Sequence, residues 1–415
     1  MSPAARSSVL PRWEAAARLV ADTRDLLAAR PGASGGPPPH ALARRGWDSF
    51  LLSLDDHELE AIETSGLQAR WPERTPNDLR SLVERARDVC SVPKLSTQGP
   101  ARGVPAAPRQ SRGLTPRKRA QVDAFGRLVI ALATGARRVV DVGSGHGHLT
   151  RELARCISLP VVGLERDAAI ARRARTLSSD PSDPSSASPR FAVTDVLGEG
   201  LALSAGDCVI GLHACGELGD VMVTSVARLR EVTLALVACC MQKRRAVSRL
   251  ALCDAPGLSE SLDLPKGLLG LSNLVPRDEG VEATRADNLA ARERRLALNR
   301  LLSDGRAGLR LGAEIAGLNR RTAQRDLTVL VARAFALRGR PIPSRRAIDD
   351  AEAWARAEHA RARRLSVPRA MLARVLEVYV LLDRGAYLDR HGFTVEVGEL
   401  FPGAVSPRNL VLVAR

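Results

Sequence analysis

The sequence has few aromatic residues, few lysines and no long apolar run. Phenylalanine, tryptophan and tyrosine make up 3% of its 415 residues, which argues against an extended platform on which single-stranded bases stack. No eighteen apolar residues follow one another, and no apolar stretch with a cleavage site opens the chain, so we expect a soluble protein that is not exported. The seven cysteines form no C-x-x-C pair, which indicates a reduced, cytoplasmic setting.

Basic residues are in excess, and nearly all of them are arginine. The formal net charge is +16 and the isoelectric point is near 10.7, whereas lysine occurs only at positions 94, 118, 243 and 266. Such a charge suits a polyanionic partner such as nucleic acid. Because a GC-rich coding sequence would also give much arginine and alanine, the charge alone does not decide for nucleic acid.

A chain of this length exceeds one compact core, and its composition changes along its length. We predict an α/β protein with these segments: a helical N-terminal region over 1–92, a flexible linker over 93–114, a core over 115–245, a mostly helical insertion over 246–385 and C-terminal strands over 386–415 that complete the core. Thr115 and Pro116 are predicted to open the first helix of this core. The basic triplet that follows, residues 117–119, would contact a phosphate or a cofactor carboxylate, or else form a solvated first turn.

The stretch over residues 137–167 predicts a strand, a glycine turn, a helix and a second strand. A β-branched run ends at a turn that contains Gly143, Gly145 and Gly147, and an apolar helical face follows. The next apolar run ends in Glu165, a carboxylate at the tip of its strand. These elements form one β-α-β unit.

This unit predicts a site for an adenosine-type cofactor. Glycines let the backbone approach a ligand closely, and Glu165 can accept hydrogen bonds from both hydroxyls of a ribose. His148 stands where a dinucleotide motif has glycine or alanine, and Asp141 lies just before the turn, where it can hold an ammonium group. The pattern therefore favours S-adenosylmethionine (SAM) over NAD. Asp195, at the end of the third predicted strand, is expected beside the adenine.

The next two predicted strands end in reactive side chains, with His213 and Cys215 after the fourth strand and Cys239, Cys240 and Lys243 after the fifth. Ligands bind at the carboxyl ends of strands in open α/β sheets, so these side chains are expected where a methyl group would be transferred. The cysteines have two other interpretations. They are buried packing residues, or one of them is a nucleophile for methylation at cytosine C5.

Several motifs together resemble the methyltransferase-like protein twenty-five group and its bacterial relatives, a branch of the class I methyltransferases. They are DVGSGHGHL at 141–149, LHACGELGD at 212–220, ACCMQK at 238–243 and the C-terminal YVLLDRGAYL and LFPGAVSPRNLVLVA. The resemblance covers roughly residue 115 to the end. It implies a Rossmann-like sheet of seven strands with helices on both faces, and SAM as the methyl donor. We expect no metal ion and no membrane contact.

The HACG and Cys-Cys motifs are also similar to those of tRNA 2′-O-methylating enzymes, which implies RNA, a tRNA or rRNA nucleoside, as the substrate. These relatives place a histidine near Gln242, so His213 is the better candidate to orient or deprotonate the acceptor. Cys215 and Lys243 are the other catalytic candidates. Cys240, Arg408 and Asn409 are predicted to contact the substrate, although Arg408 and Asn409 would also suit a rigid hairpin corner.

A second pattern lies within the insertion. Residues 310–330 fit a helix-turn-helix, with Gly317 at the turn, Asn319 as the cap and Arg320, Arg321 and Arg325 on the second helix. A DNA-binding regulator is therefore an alternative to RNA methylation. Methylation of a protein or of a small molecule is another.

Overall fold

The computed structural model of the protein describes residues 9–31, 36–95, 114–178, 188–274, 285–303, 312–319, 322 and 325–415. The chain divides into two compact units. The first comprises Met1–Arg24, Arg85–Val275 and Leu372–Arg415, and the second comprises Asp25–Glu84 and Pro276–Met371. No helix in the described part of the chain is long and apolar enough to cross a membrane.

The boundaries of these units differ from the boundaries of the predicted segments. The predicted N-terminal region 1–92 and the predicted insertion 246–385 each contribute residues to both units. A helical pattern shows which face of a helix is buried, but which core that face joins depends on contacts between residues far apart in sequence. Residues 96–113 of the predicted linker lie outside the described residues. The segment boundaries stay predictions.

The first unit contains a seven-stranded sheet, which confirms the predicted Rossmann-like fold. The strands of the unit are β1 (Arg138–Val142), β2 (Val161–Glu165), β3 (Arg190–Val193), β4 (Asp207–Cys215), β5 (Thr233–Cys239), β6 (Ser248–Arg249), β7 (Leu264–Pro265), β8 (Val395–Glu399) and β9 (Leu410–Ala414). The order in the sheet is β3-β2-β1-β4-β5-β9-β8, and β6 pairs with β7 separately. Strands β1 to β5 are parallel, while β9 runs antiparallel to β5 and to β8. The carboxyl ends of the five parallel strands therefore share one edge.

The helices, in chain order, are α1 (Leu10–Asp22), α2 (Arg24–Ala28), α3 (His40–Ala43), α4 (Trp47–Leu52), α5 (Asp56–Ser65), α6 (Asn77–Cys90), α7 (Pro116–Leu132), α8 (His148–Cys156), α9 (Ala168–Ser178), α10 (Val196–Glu199), α11 (Glu217–Val226), α12 (Lys266–Leu269), α13 (Arg285–Leu302), α14 (Leu327–Leu337) and α15 (Arg345–Arg390). Three short 3₁₀ helices span Gly66–Gln68, Gly270–Leu274 and Ala313–Ile315. Helix α7 begins as predicted, since the Thr115 side chain accepts the Lys118 N–H and Pro116 is the first helical residue.

Helices cover both faces of the sheet. Alternate strand residues, such as Val139, Ile210 and Val237, share one apolar cluster with residues of α7 and α8. Residues of the opposite parity point to the other face. There α11 approaches Gly211 through its Met222 side chain, and α15 packs Gly385 against Leu412. Burial on both faces explains why β1, β4 and β5 contain nearly continuous apolar runs rather than alternating polar and apolar residues.

The second unit has a helical core of its own, in which apolar residues of α13, α14 and the first part of α15 pack together. The predicted helix-turn-helix falls within this unit. Helix α14 begins at Leu327 with Asp326 as its cap, so the prediction that Asn319 caps this helix is wrong. Arg320 and Arg321 lie outside the described residues. The Asp326 carboxylate, which accepts the Thr328 N–H, supplies the start signal of α14.

Candidate active site

The glycine turn after β1 has the backbone that its sequence predicts. Gly143, Gly145 and Gly147 all have positive φ, at 74°, 56° and 72°, a region that other residues adopt only with strain. A Cβ on Gly147 would lie 2.4 Å from the Phe191 ring, whereas a Cβ on Gly145 would meet no atom within 4 Å. The turn is therefore closed against the sheet at Gly147 and open at Gly145.

The Glu165 carboxylate lies across this turn. Its Oε2 accepts the Gly145 N–H at 3.0 Å and its Oε1 accepts the Asp167 N–H at 3.0 Å. Each carboxylate oxygen can accept a second hydrogen bond. Glu165 is thus held at the open side of the turn, in a position that fits its predicted role toward two ribose hydroxyls.

Asp141 is buried at the end of β1, and its Oδ2 accepts the Thr150 hydroxyl at 2.7 Å. Burial raises the pKa of Asp141 to about 6, the Thr150 hydrogen bond opposes this shift, and the nearby Glu165 charge adds to it. A desolvated carboxylate gains more from a cation than a solvated one does. This environment suits the ammonium group of SAM.

Ser144 was not singled out from the sequence. Its Oγ is buried and has no hydrogen-bond partner in the described part of the chain. Such a hydroxyl is costly unless a ligand or water satisfies it. Together with the open Gly145 and the held Glu165, it indicates that the turn fits a polar ligand such as the donor.

Asp195 does not lie at the end of the third strand, where the sequence predicted it. Strand β3 ends at Val193, two residues earlier, and Asp195 precedes α10. Its carboxylate pairs with Arg245 at 2.5 Å, and this hydrogen bond holds the pKa of Asp195 below its usual range. Contact with the adenine therefore stays a prediction, and the donor would have to share this carboxylate with Arg245.

On the acceptor side, the backbone of β4 is distorted at His213. The residue has φ of 67°, and the pairing of β4 with β5 shifts register between Leu212 and Ala214. Bulges of this kind redirect a side chain and are frequent beside active sites. Few residues other than glycine take such a φ, so the surrounding fold must impose it.

The His213 ring has a defined hydrogen-bond partner. Its Nε2 lies 2.9 Å from Oε1 of Gln121, a buried residue of α7. The Gln121 amide nitrogen donates to the Val405 carbonyl at 3.4 Å, which turns its oxygen toward the ring. His213 Nε2 therefore carries the proton, and Nδ1 is the nitrogen able to accept one. Gln121 was missed in the sequence, although a glutamine on an apolar helix face is a signal of a buried polar contact.

His213 is neutral at physiological pH. Burial, together with the charges of Arg117, Lys118 and Arg408, lowers its pKa to about 4. These three cations, on α7 and in the segment before β9, act electrostatically on the ring. The setting of His213 is therefore electropositive.

The predicted cysteines come together at the tips of β4 and β5. The Sγ atoms of Cys215 and Cys239 are 3.0 Å apart, and the thiols of Cys215, Cys239 and Cys240 all lie within 4.8 Å of one another. The hydrogen bond between the first two holds the pKa of Cys215 below its usual range and raises that of Cys239. The three thiols therefore form a cluster. Cysteines that served only as separate packing residues would not need to lie so close together.

Lys243 is exposed, and its backbone ties the two strand ends together. Its carbonyl accepts the Glu217 N–H at 3.1 Å and its N–H donates to the Cys240 carbonyl at 2.8 Å. Its charge acts on Cys215. The neighbouring Gln242 has a buried Oε1 without a partner among the described residues.

Arg408 and Asn409 are both buried. The Asn409 amide accepts from Arg374 at 2.9 Å and donates to the Phe401 carbonyl at 3.1 Å, so the structure favours the hairpin corner for this residue. Arg408 donates to the Ser272 carbonyl at 3.3 Å, and its charge reaches His213. A substrate contact by either residue stays a prediction.

Residues 117–246, which hold the glycine turn, the His213 bulge and the thiol cluster, match a protein family described as "Methyltransferase domain". These residues therefore contain a methyltransferase domain. Its methyl donor is SAM, as the sequence predicted. The family match covers the five parallel strands, from α7 to the end of the ACCMQK motif.

Solved structures similar to this chain include two methyltransferases and a cyclopropane synthase. Magnesium protoporphyrin IX methyltransferase (ChlM) from Synechocystis PCC 6803 with bound SAM is 19% identical over 29% of this chain and 58% of its own, with a TM-score of 0.24. Mycolic acid cyclopropane synthase CmaA1 is 15% identical over 53% of this chain and 79% of its own, with a TM-score of 0.25. The 23S rRNA methyltransferase ErmE is 17% identical over 56% of this chain and 96% of its own, with a TM-score of 0.22. The chain thus spans 58% of the length of ChlM, and TM-scores this low support no conclusion about the substrate.

Binding of SAM to the methyltransferase domain should weaken as the pH falls below about 6, the pKa of Asp141. Only the ionised carboxylate attracts the donor's ammonium group, and protonation removes that charge, so the affinity should fall by up to about tenfold per pH unit. Calorimetric titration at about pH 5 and about pH 7 measures this. Asp141→Asn should bind weakly at both values, and equal wild-type affinities at both would contradict the role of Asp141.

Proposed function

We propose that the methyltransferase domain transfers a methyl group from SAM to RNA, on a tRNA or rRNA nucleoside. The observation that carries this proposal is the basic first turn of α7, next to His213. Residues 117–119 are Arg-Lys-Arg, and the turn contains no acidic residue. Gln121, one turn further along the helix, holds the His213 ring.

This turn is unfavourable for the stability of the helix itself. Cations near a helix N-terminus oppose the helix dipole, at a cost of about 0.3–1 kcal/mol each. An anion bound there would instead meet both the dipole and the side-chain charges. Arg117 reaches toward the segment before β9, where its guanidinium lies 3.5 Å from the Ser406 hydroxyl. A phosphate on this surface would lie close to His213, as a nucleotide flanking the acceptor would.

In this proposal the glycine turn holds the donor, with Asp141 at its ammonium group and Glu165 at its ribose. His213 orients the acceptor and takes its proton on Nδ1, while Cys215 and Lys243 line the same place. Transfer from a sulfonium needs alignment of donor and acceptor more than it needs strong acid or base catalysis. We also propose that the chain is related to the methyltransferase-like protein twenty-five group, on the motifs at 212–220 and 238–243.

Reversing the charge of this turn tests the RNA proposal. Arg117→Glu combined with Lys118→Glu should weaken binding of bulk tRNA and rRNA by about tenfold or more and reduce its salt dependence, because phosphate contacts release counterions. Filter binding over a salt series measures both, and labelled SAM measures methylation of the same RNA. Arg127→Glu, also exposed on α7, is the matched control and should change little.

Other outcomes identify other substrates. SAM binding without RNA binding or RNA methylation by the wild type would favour a protein or small-molecule acceptor. Sequence-specific binding to DNA would favour the regulator hypothesis. Its predicted contacts Arg320 and Arg321 lie outside the described residues, so that hypothesis rests on the sequence alone.

A further inference from the structure

We infer that Cys215, Cys239 and Cys240 form a binding site for a thiophilic divalent cation, with Zn²⁺ as the ion that fits best. This inference goes beyond the proposed function, and it differs from the expectation that the protein binds no metal. It rests on the positions of three sulfur atoms and on the backbone that brings them together.

The spacing of the thiols suits tetrahedral Zn²⁺. With Zn–S bonds of about 2.3 Å, two ligand sulfurs of a tetrahedral site are about 3.8 Å apart. The three Sγ atoms lie within 4.8 Å of one another, and those of Cys215 and Cys239 are 3.0 Å apart. Both values are within about 1 Å of the tetrahedral separation, so small side-chain rotations would bring the sulfurs into the ligand geometry. In the described part of the chain, no other group of three His, Cys, Asp or Glu side chains is arranged in this way.

The backbone is distorted at two places to make the thiols converge. Consecutive residues of a strand point to opposite faces, so Cys239 and Cys240 would normally diverge. Cys240 has φ of 43°, which turns the chain at this point. On the neighbouring strand, the irregularity at His213 is followed by direct pairing of Cys215 with Cys239. Positive φ at a residue other than glycine is strained, and such strain is concentrated at functional sites.

The charges around the cluster favour a tri-thiolate site. Three thiolates and one divalent cation carry a net charge of −1. Lys243 and the buried Arg384 both act electrostatically on Cys215, and Arg384 is anchored to the Gly216 carbonyl at 2.7 Å. These cations offset the negative charge. The Cys215 and Cys239 thiols donate hydrogen bonds to the His213 carbonyl at 3.2 Å and 3.6 Å.

Three protein ligands leave one of the four positions of Zn²⁺ open. This is the ligand count of catalytic rather than structural zinc sites. The cluster lies at the carboxyl ends of β4 and β5, on the sheet edge where the glycine turn follows β1. The cluster is therefore on the same edge of the sheet as the proposed donor site.

Metal binding by the reduced full-length chain tests this inference. We expect the chain, purified anaerobically with a phosphine reductant and stripped with a chelator, to bind one Zn²⁺ per chain, and Co²⁺ to give sulfur-to-cobalt charge-transfer absorption. Cys240→Ser, at a partly exposed position, and Cys215→Ser should each weaken Zn²⁺ binding by at least about tenfold. Cys156→Ser, a cysteine at the end of α8, is the control and should bind as wild type does.

SAM titration into the same samples shows whether each variant is folded and keeps its donor site, so failure here is distinguishable from failure of the proposed function. No Zn²⁺ binding by reduced wild type that still binds SAM would overturn the inference. Binding that is unchanged in Cys215→Ser and Cys240→Ser would also overturn it. A Cys215–Cys239 disulfide found by mass spectrometry in protein kept under reductant would assign the thiols to a redox pair instead.

Discussion

Gly216→Ala should abolish methyl transfer and lower the free energy of unfolding by at least about 3 kcal/mol. Gly216 has φ of 54° and ψ of −117°, a conformation that is strained for any residue with a Cβ. A Cβ here would also lie 1.9 Å from the Lys243 carbonyl oxygen and 2.6 Å from its carbon. Because both atoms belong to the backbone, no side-chain rotation relieves the collision.

The segment that carries Cys240 and Lys243 would have to move away from α11. It would then lose the contacts that join the two strand ends, the Gly216 N–H to the Cys239 carbonyl at 3.3 Å and the Glu217 N–H to the Lys243 carbonyl at 3.1 Å. Urea unfolding and a methylation assay with labelled SAM measure the two effects. Gly135→Ala is the matched control, since Gly135 has φ of 84° but a Cβ there would meet no atom within 4 Å. If both variants lost equal stability, the collision would not be the cause.

Asp220→Asn should destabilise the first unit by about 3–5 kcal/mol, the usual cost of removing one partner from a buried ion pair. Asp220 accepts hydrogen bonds from three arginines: Arg244 at 3.1 Å, Arg249 at 3.1 Å and Arg384 at 2.9 Å. Arg249 and Arg384 are almost fully buried. In the described structure, Asp383 is the other carboxylate that forms an ion pair with one of these arginines, Arg249. Without the Asp220 charge, it would be the one left to balance them.

The pH dependence of this loss follows from the charge of Asp220. Burial acts to raise its pKa, but the three arginines outweigh burial and hold the pKa well below its usual range. A carboxyl with a depressed folded-state pKa stabilises the fold fully above its unfolded pKa of about 3.9, and this stabilisation is lost only as the pH falls through the folded value. The difference between wild type and Asp220→Asn should therefore be constant between about pH 5 and 8, and shrink in stronger acid.

Denaturant unfolding across this pH range measures the effect. Glu152→Gln is the control, since Glu152 pairs with Arg155 on the surface of α8 and surface pairs contribute at most about 1 kcal/mol. A loss below about 1 kcal/mol in Asp220→Asn would contradict the account of this network. The network also bears on the site, because Arg384 donates to the Gly216 carbonyl, so the variant should lose activity along with stability.

The sequence predicted the parts of the site that local geometry decides. The glycine turn, the carboxylate at the end of β2 and the start of α7 each depend on a few neighbouring residues, and the structure places them as expected. The seven-stranded sheet was also predicted, because strand patterns and motif order agreed. Asp195 was placed at the end of a strand that in fact stops at Val193, since element boundaries depend on pairing as well as on pattern.

Contacts between distant residues could not be predicted in the same way. The hydrogen bond from His213 to Gln121 joins residues 92 positions apart, and the convergence of the three thiols depends on a register shift that no sequence pattern marks. The buried corner at Asn409 likewise depends on Arg374, on a different element. In each case one residue was noticed in the sequence, but its partner lies on a different element that only the folded structure brings close. The family match covers residues 117–246 and does not include Arg408 or Asn409, whose roles toward a substrate stay predictions.

Calorimetric titration of SAM and of its demethylated product into wild type and Glu165→Ala tests the central claim, a donor site at the glycine turn. We predict micromolar binding by wild type and a loss of about tenfold or more in Glu165→Ala, equivalent to about 1.4 kcal/mol. Glu152→Ala, on the surface of α8, should bind as wild type does. No detectable binding by folded wild-type protein, or equal binding by Glu165→Ala, would contradict the claim.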